Sequence, residues 1–466
     1  MSFTSISPLK VPEILWSISR FVTLKDAITC ARVCKAWTDN FISVIWHTID
    51  FDVHKLQTTD FKVLEKHGHH IRIVKNMKNL EHILVLLESN ASKLRSLSLN
   101  MKTSPEFQAY FYDLMRRNNT TIEHIEIPSS GGLFFNFDCF SPQTSTGVTS
   151  KLSFLKFQGL TMTRDAFSSM LRICPCLTKL NMRDTTMSSW SARGNMDADH
   201  YQHHGITDLV ASSKQVFRMD NKSENPPSLL VHFPNLMSWH LWTSSNTLDV
   251  KIEELKDEVA ICCPLLKTLL VGTTAGITVN LLVKAFNNLT SICVYNHYIS
   301  AEVVMAIVKH QDTLIHVSTF TFSNFFDSDN IPEVESNHLE VPGWIIQLLP
   351  GSCTRLKSLR FPLYEMNIND IEEANWRCYN LESLYIRVHG VNTKEKIDRA
   401  MQLWTDGRIA IRKKQMNAEK RPTISNSQLY TVILQGDNSI EARVARHLLK
   451  FNKLQKVWLG WKVQEV

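Results

Sequence analysis

The chain has 466 residues, more than a single hydrophobic core usually supports, so several domains or a repeat array are expected. Apolar residues make up 44% and charged residues 21%, as in ordinary folded proteins, and the net charge of +6 neither favours nor excludes nucleic acid. No secretory signal is recognisable, no window holds ~18 apolar residues, and the ten cysteines are irregularly spaced. We therefore expect reduced thiols and a cytoplasmic or nuclear protein.

Residues 7–51 predict three short helices. Pro12 suits the first turn of the first helix, and Ile14, Leu15 and Ile18 follow it at helical spacing. A second amphipathic helix is predicted over residues 24–34. Large aromatic anchors, Trp37 and Trp46, lie at the end of that helix and beyond it.

The order of these features resembles the F-box family. The family pattern opens with Leu-Pro-Glu-Ile/Leu-Leu, continues with Val-Cys-Lys/Arg-x-Trp and closes with a Trp before a short strand. This chain has Val11-Pro12-Glu13-Ile14-Leu15, then Val33-Cys34-Lys35-Ala36-Trp37, then Trp46. Val11 departs from the usual Leu, and Ser17 and Ser19 are more polar than the family norm. The resemblance covers residues 7–51, and several elements occur in the right order and spacing.

The F-box resemblance implies a partner, an adaptor of the Skp family that connects the chain to a cullin and a RING subunit. A module this short buries little core, so leftover apolar side chains need a partner or a neighbouring repeat. The side chains expected to dock the adaptor or to form the module core are Pro12, Ile14, Leu15, Ile18, Leu24, Ala27, Val33 and Trp37. The alternative is a three-helix cap on a repeat array.

A short phrase recurs over residues 52–466: Leu, two residues, apolar, one residue, apolar. It begins at Leu94, Ile122, Leu152, Leu177, Leu236, Leu266, Leu289, Leu314, Leu356, Leu381, Leu429 and Leu454, with a degenerate candidate at Ile71. Most starts are 23 to 30 residues apart, and the exceptions are gaps of 59, 42 and 48 residues. This period resembles the leucine-rich repeat, which has one strand per repeat.

Strand alternation directs the first, fourth and sixth residues of each phrase into a shared core. The expected fold class is therefore an α/β solenoid with a parallel sheet on its concave face. Helices are predicted between phrases over residues 163–174, 278–288 and 300–311, with Ser300 as an N-cap. The insertions are predicted at about 128–150, 185–230, 321–350 and 387–428, the last with a helix over 394–404.

The third, fifth and seventh residues of each phrase are expected on the concave face, and the candidate residues are taken from the fifth and seventh positions. In the C-terminal half these positions carry residue types enriched at binding hot spots: Trp242, Tyr295, Phe320, Arg360, Tyr385, Arg387 and Trp458. We expect them to bind a protein substrate. The equally weighted alternative is that insertions bury some of these aromatic side chains.

Nothing in the sequence predicts catalysis, a cofactor or a metal. No GxGxxG, GxxxxGK or GxSxG phrase occurs. His200, His203 and His204 have a spacing that zinc accepts, but their segment is loop-like and lacks a nearby cysteine, so no metal site is predicted. The cysteines ahead of the strands (Cys174, Cys262, Cys263, Cys353, Cys378) are interpreted as core residues.

The prediction is thus a non-catalytic substrate-recognition subunit of an SCF-type ubiquitin ligase. One alternative is an F-box scaffold that binds a partner without ubiquitylation. Another, not the expected one, is a nucleic-acid-binding solenoid that uses Lys156, Arg183, Arg360 and Arg387. The basic stretch 408–422 is interpreted as the solvated face of a helix rather than as a nuclear-import or nucleic-acid patch.

Overall fold

A computed structural model describes residues 12–53, 61–99, 105–127, 137–140, 150–183, 185–188, 201–212, 229–242, 260–272, 276–295, 299–320, 343–418 and 437–460. The chain divides into two compact units, the first formed by residues 1–215 with 231–233 and the second by 216–230 with 234–466. No described helix combines the length and the apolar character needed to cross a membrane.

The first unit opens with the three predicted helices and continues as an α/β layer. Its helices are α1 (Pro12–Ser19), α2 (Leu24–Ala31), α3 (Lys35–Ile45), α4 (Phe61–His67), α5 (Leu80–Glu88), α6 (Pro105–Asn118) and α7 (Arg164–Ile173). Its strands are β1 (Thr48–Asp50), β2 (Ile73–Met77), β3 (Ser96–Leu99), β4 (His124–Ile127), β5 (Phe154–Phe157), β6 (Thr161–Thr163), β7 (Lys179–Met182), β8 (Thr186–Ser188) and β9 (Asp208–Ser212). Strands β1, β2, β3, β4, β5, β7 and β9 pair in parallel in that order, and β6 pairs with β8.

The second unit is also α/β, with a parallel sheet. Its strands are β10 (Ser238–Trp242), β11 (Thr268–Gly272), β12 (Ser291–Tyr295), β13 (His316–Phe320), β14 (Ser358–Met366), β15 (Ser383–Val388) and β16 (Lys456–Leu459), hydrogen-bonded in chain order. Its helices are α8 (Gly276–Ala285), α9 (Ala301–Val308), α10 (Gly343–Ile346), α11 (Leu348–Ser352), α12 (Ile368–Glu373), α13 (Lys394–Ala418) and α14 (Ile440–Leu448).

The recurring phrase forms the strands, as predicted, and its apolar positions form the core. In the phrase that begins at Leu94, the first, fourth and sixth side chains (Leu94, Leu97 and Leu99) are buried, and the intervening strand residues are half-buried. The same alternation holds in β4, β5 and β15. Side chains on successive strand residues point to opposite faces, so a parallel sheet with an in-register phrase buries one complete face.

Strands β6, β8 and β9 were not predicted, and β9, which belongs to the larger parallel sheet, lies in the interval where a long insertion was expected. Strand β9 pairs with β7, and its phrase begins at Ile206 with Leu209 and Ala211 as the buried partners. The 59-residue gap is therefore two ordinary intervals, of 29 residues from Leu177 to Ile206 and 30 from Ile206 to Leu236. The small Ala211 at the sixth position weakened the pattern.

Another predicted copy has a different outcome. The phrase at Leu429 lies outside the described residues, and β15 pairs directly with β16, from Ser383 opposite Lys456 to Ile386 opposite Leu459. The degenerate candidate at Ile71 does form a strand, β2.

The predicted helices are present with adjusted ends. Thr163 caps α7, and Ser300 caps α9 by accepting a hydrogen bond from the Val303 amide at 3.3 Å. Helix α13 continues to Ala418, well beyond the predicted end at residue 404. It therefore includes the start of the basic stretch, in which Arg412 and Lys413 are exposed as expected for a solvated helix face. Arg408 departs from that expectation, since it is half-buried and donates to the Leu454 carbonyl oxygen at 2.6 Å.

Candidate functional site

The three N-terminal helices have a small core of their own. Leu15, Ala27 and Phe41 are fully buried, and Ile18 and Trp37 are partly buried against them. The Trp37 ring stacks on Phe41 with 5.6 Å between ring centroids. Leu15 and Ala27, two of the eight predicted docking residues, therefore belong to the module core, while Ile18 and Trp37 are partly committed to it.

Polar side chains fix the geometry of this helical module. Thr23 caps α2: its hydroxyl oxygen accepts a hydrogen bond from the Asp26 amide at 3.3 Å and donates one to the Asp26 carboxylate at 2.6 Å. The Thr38 hydroxyl of α3 donates to the Ala31 carbonyl oxygen at the end of α2. These bonds satisfy helix-end groups and hold α2 and α3 in a fixed turn.

The remaining predicted docking residues are on the surface. Pro12 is exposed, and Ile14, Leu24 and Val33 have exposed fractions of 39%, 44% and 61%. Such apolar surface on a short module is the type that a partner protein covers. The structure thus separates the residues that form the module core from the exposed residues that remain candidates for adaptor docking.

Three further exposed apolar side chains in this module were not singled out from the sequence. Trp16 is 55% exposed, Phe21 is 89% exposed and Ile28 is 38% exposed. Ile28 lies one turn after Leu24 on α2, so the two share a helix face. The sequence feature that could have identified these residues is that residues 12–46 contain more apolar side chains than a three-helix core can bury. We call these six exposed residues, Ile14, Trp16, Phe21, Leu24, Ile28 and Val33, the apolar helix surface.

A second candidate surface follows from the strand register of the second unit. The fifth residues of seven phrases are direct register partners across β10 to β16: His240, Leu270, Cys293, Ser318, Arg360, Tyr385 and Trp458. They lie on the face opposite the buried fourth and sixth positions. The predicted residues Arg360, Tyr385 and Trp458 are therefore consecutive in one row, which we call the strand row.

The last three members of the strand row contact one another. The Tyr385 and Trp458 rings meet edge to face with 4.7 Å between centroids, and the Arg360 guanidinium carbon lies 5.5 Å from the Trp458 centroid. All three residues are half-buried. Burial raises the pKa of the Tyr385 hydroxyl against the opposing effect of Arg387 and Arg360. This end of the row combines an aromatic surface with a cation, as at protein-binding hot spots.

Arg387 lies two residues beyond Tyr385 on β15. A register shift in β14 makes Glu365 its strand partner. Burial lowers the pKa of the Arg387 guanidinium, and the nearby Glu365 carboxylate opposes that effect. Trp242, Tyr295 and Phe320 end their strands, where Tyr295 is the register partner of Phe320 and Trp242 that of Gly272. The side chains of these three residues lie outside the described part of the structure.

Several polar atoms in the strand row are shielded from solvent. Arg360 Nε, Trp458 Nε1 and the neighbouring Ser383 hydroxyl have no hydrogen-bond partner among the described residues. Buried donors of this kind normally have a partner, and a ligand that accepts hydrogen bonds could supply one here. Ser383 is the third residue of its phrase, a position expected on the concave face, although it was not among the candidate binding residues.

The histidine segment has a structural role. The His203 ring bonds through Nε2 to the Cys174 carbonyl oxygen at 2.9 Å, and its Nδ1 accepts a hydrogen bond from the Ile206 amide at 3.2 Å. Both ring nitrogens are therefore occupied: Nε2 connects this segment to the preceding repeat, and Nδ1 fixes the turn that leads into β9. His200 lies outside the described residues, and the described residues contain no group of three potential metal ligands.

The cysteine side chains behave as core residues. Cys174, Cys263, Cys353 and Cys378 are buried, and burial raises the pKa of each thiol to about 12. A thiol with so high a pKa stays protonated and is a poor nucleophile. Cys262 is half-buried. The core interpretation of the cysteines that precede strands is confirmed for these four buried residues.

In comparisons with known proteins, no protein-family model matches this chain. A search of curated proteins finds no match either.

Proposed function

We propose that this protein is the substrate-recognition subunit of an SCF-type cullin-RING ubiquitin ligase. The apolar helix surface would bind a Skp-family adaptor, and the strand row would bind a protein substrate. The observation that carries the proposal is the coincidence of two features within residues 12–46: the motif order that resembles an F-box, and apolar side chains left exposed by the module's own core. Exposed apolar side chains grouped on a short module are typical of a surface that a partner protein covers, and this supports the proposal.

The adaptor contact is tested with charged substitutions at exposed positions, which leave the module core intact. Ile14→Asp and Val33→Asp should each reduce co-purification of a Skp-family adaptor at least tenfold, because an unpaired carboxylate would be buried in an apolar interface. Val63→Asp is the matched control, a 45% exposed valine on α4 outside the module. Adaptor capture that survives Ile14→Asp and Val33→Asp, or that is lost equally in Val63→Asp, would contradict the adaptor assignment.

The alternative is a scaffold that binds a partner without ubiquitylation. The same purification separates the two functions when it is probed for the cullin. Adaptor and cullin together support the ligase subunit, and adaptor without cullin supports the scaffold.

The substrate contact is tested in the Val33→Asp background, in which a bound substrate is retained rather than ubiquitylated. Arg360→Ala, Tyr385→Ala and Trp458→Ala should each remove captured proteins that Ser318→Ala retains, since Ser318 shares the row but not the aromatic cluster. Equal capture by all four variants would remove the strand row from substrate binding.

The nucleic-acid alternative receives less support, because Lys156 forms an ion pair with Glu126 at 3.6 Å.

A further inference from the structure

A column of basic residues precedes the first three strands of the first unit. His47, Arg72 and Arg95 occupy equivalent places just before β1, β2 and β3. The Arg72 amide donates to the His47 carbonyl oxygen at 3.0 Å, and the Arg95 amide donates to the Arg72 carbonyl oxygen at 2.7 Å. Neighbouring strands are about 4.8 Å apart, so these three basic side chains start from adjacent rungs of the sheet.

These residues line a cavity of about 740 Å³ beside the N-terminal helices. Five of its lining residues are basic, namely Arg20, His47, His70, Arg72 and Arg95, and none of the described lining residues is acidic. Apolar side chains from the helical module, among them Trp16, Val22 and Ile45, complete the wall. The volume is in the range of about 300–1,000 Å³ that small-molecule sites have.

The positive charges in this cavity are not balanced by the described protein groups. The Arg95 side chain has no hydrogen-bond or ion-pair partner among the described residues, and Arg72 donates only from Nη1, to the carbonyl oxygens of His69 and Ile71 at 2.8 and 2.9 Å. Burial, reinforced by Arg95, lowers the pKa of Arg72. Burial, reinforced by Arg72 and Arg95, likewise lowers the pKa of His47. The charges of Arg72 and Arg95 therefore oppose each other, and both oppose protonation of His47.

The equivalent column in the second unit shows the ordinary arrangement. There Lys357 precedes β14 and Glu382 precedes β15, linked by the bond from the Glu382 amide to the Lys357 carbonyl oxygen. Their side chains form an ion pair at 3.0 Å. In the first unit, the first acidic residue of the column is Glu123, one rung beyond Arg95. Like charges on adjacent rungs are destabilising unless a counter-charge is supplied.

We propose that this cavity binds a small molecule carrying two or more phosphate groups. Guanidinium groups pair with phosphate oxygens through parallel hydrogen bonds, and two arginines on adjacent rungs present such groups side by side. The apolar wall reduces solvent screening and so strengthens the pairing. The site is separate from the strand row, shares Trp16 and Leu24 with the apolar helix surface, and does not depend on the proposed ligase function.

Calorimetric titration of the full chain with tripolyphosphate tests this site. The wild-type protein should bind tripolyphosphate, and Arg72→Gln and Arg95→Gln should each weaken binding at least tenfold. Arg95 is exposed, so its replacement leaves the fold intact. Arg116→Gln is the matched control, an exposed arginine on α6 paired with Asp113 rather than facing the cavity. Arg72→Lys keeps the charge but loses the forked geometry, so its affinity should be intermediate.

Citrate, a carboxylate polyanion, should bind more weakly than tripolyphosphate. Co-sedimentation with vesicles containing phosphoinositide distinguishes the source of the phosphate. Vesicle binding that Arg72→Gln removes assigns the site to a lipid headgroup, and tripolyphosphate binding alone assigns it to a free phosphate compound. Three results would overturn the proposal. The wild type does not bind tripolyphosphate, or Arg72→Gln and Arg95→Gln bind it as tightly as the wild type, or the control Arg116→Gln loses as much affinity as those two variants.

Discussion

The N-terminal helical module (residues 12–46) and the strand layer, meaning the strands of both units with the helices that connect them, bury their apolar side chains in different ways. Three residues, Leu15, Ala27 and Phe41, are the fully buried core of the module, and six apolar side chains remain on its surface. In the strand layer, the phrase positions directed inward are buried in strand after strand, as in β3, β4 and β15. Each repeat covers the apolar face of its neighbour. A module of three short helices has too little volume to bury all of its own apolar side chains.

This difference indicates where partners are needed. The strand layer is stabilised within the chain, and its candidate binding residues, Arg360, Tyr385 and Trp458, are half-buried on one sheet face. The helix module exposes residues as apolar as its core, and a second protein would stabilise it. The following variants test the contrast, in order of decreasing effect on the free energy of unfolding.

Removing a large side chain from the strand layer should have the largest effect. Trp239 on β10 is fully buried and meets Phe286 edge to face with 6.5 Å between ring centroids. Trp239→Ala should lower the free energy of unfolding of the second unit by about 3–5 kcal/mol, through lost burial and the cavity it leaves. Urea denaturation measures this change. Trp344→Ala is the control, because Trp344 is 56% exposed and its loss should cost far less.

The strand layer also depends on a buried polar side chain. Asn118 is fully buried at the end of α6: its Oδ1 accepts from the Leu94 amide at 2.8 Å, and its Nδ2 donates to the Ala91 and Leu114 carbonyl oxygens at 2.9 Å. Asn118→Leu removes the side-chain partner of the buried Leu94 amide and Ala91 carbonyl oxygen and should cost about 3 kcal/mol. The neighbouring Asn119→Ala should be nearly neutral. Similar stabilities of the two variants in urea would show that this network contributes little.

Acid should destabilise the strand layer through His447 on α14. This ring is 4% exposed, packs edge to face on Trp376 at 4.7 Å, and neither ring nitrogen has a hydrogen-bond partner among the described residues. Burial, with a smaller effect of Lys450, lowers its pKa from 6.5 to about 3. The unfolded chain therefore binds a proton that the folded chain excludes between these two values, so stability falls as pH drops below 6.5.

At pH 5 this one group should cost about 2 kcal/mol relative to pH 7. His447→Phe should remove that part of the pH dependence, as measured by urea denaturation at both pH values. His389→Phe is the control, because the His389 side chain is 72% exposed. An unchanged pH dependence in His447→Phe would show that other groups cause the acid sensitivity.

The smallest effect on stability is expected in the module, at its most exposed apolar residue. Phe21 is 89% exposed, so Phe21→Ser should change the free energy of unfolding by no more than about 0.5 kcal/mol. If the module needs a partner, the same variant should weaken adaptor capture. A large loss of stability in the isolated chain would place Phe21 in an internal contact and would remove the contrast between the two regions.

Much of the fold was predictable because its pattern is local and repeated. The phrase spacing predicted parallel strands with buried first, fourth and sixth residues, and capping residues such as Ser300 predicted helix starts. The prediction was wrong over residues 206–212, where a small Ala211 hid a further strand inside a supposed insertion. It also placed Leu15 and Ala27 among possible docking residues, because helical spacing alone does not state which stripe faces the neighbouring helices.

The sequence by itself therefore determined the strand period, the α/β class and the motif order within residues 7–51, since each depends on residues close together in the chain. Only the tertiary structure decided which apolar side chains of the module remain exposed. It also brought Arg360, Tyr385 and Trp458 into one row and Arg72 and Arg95 onto adjacent rungs. Those groupings depend on strand register between segments distant in sequence, and register is set by how all the repeats pack together.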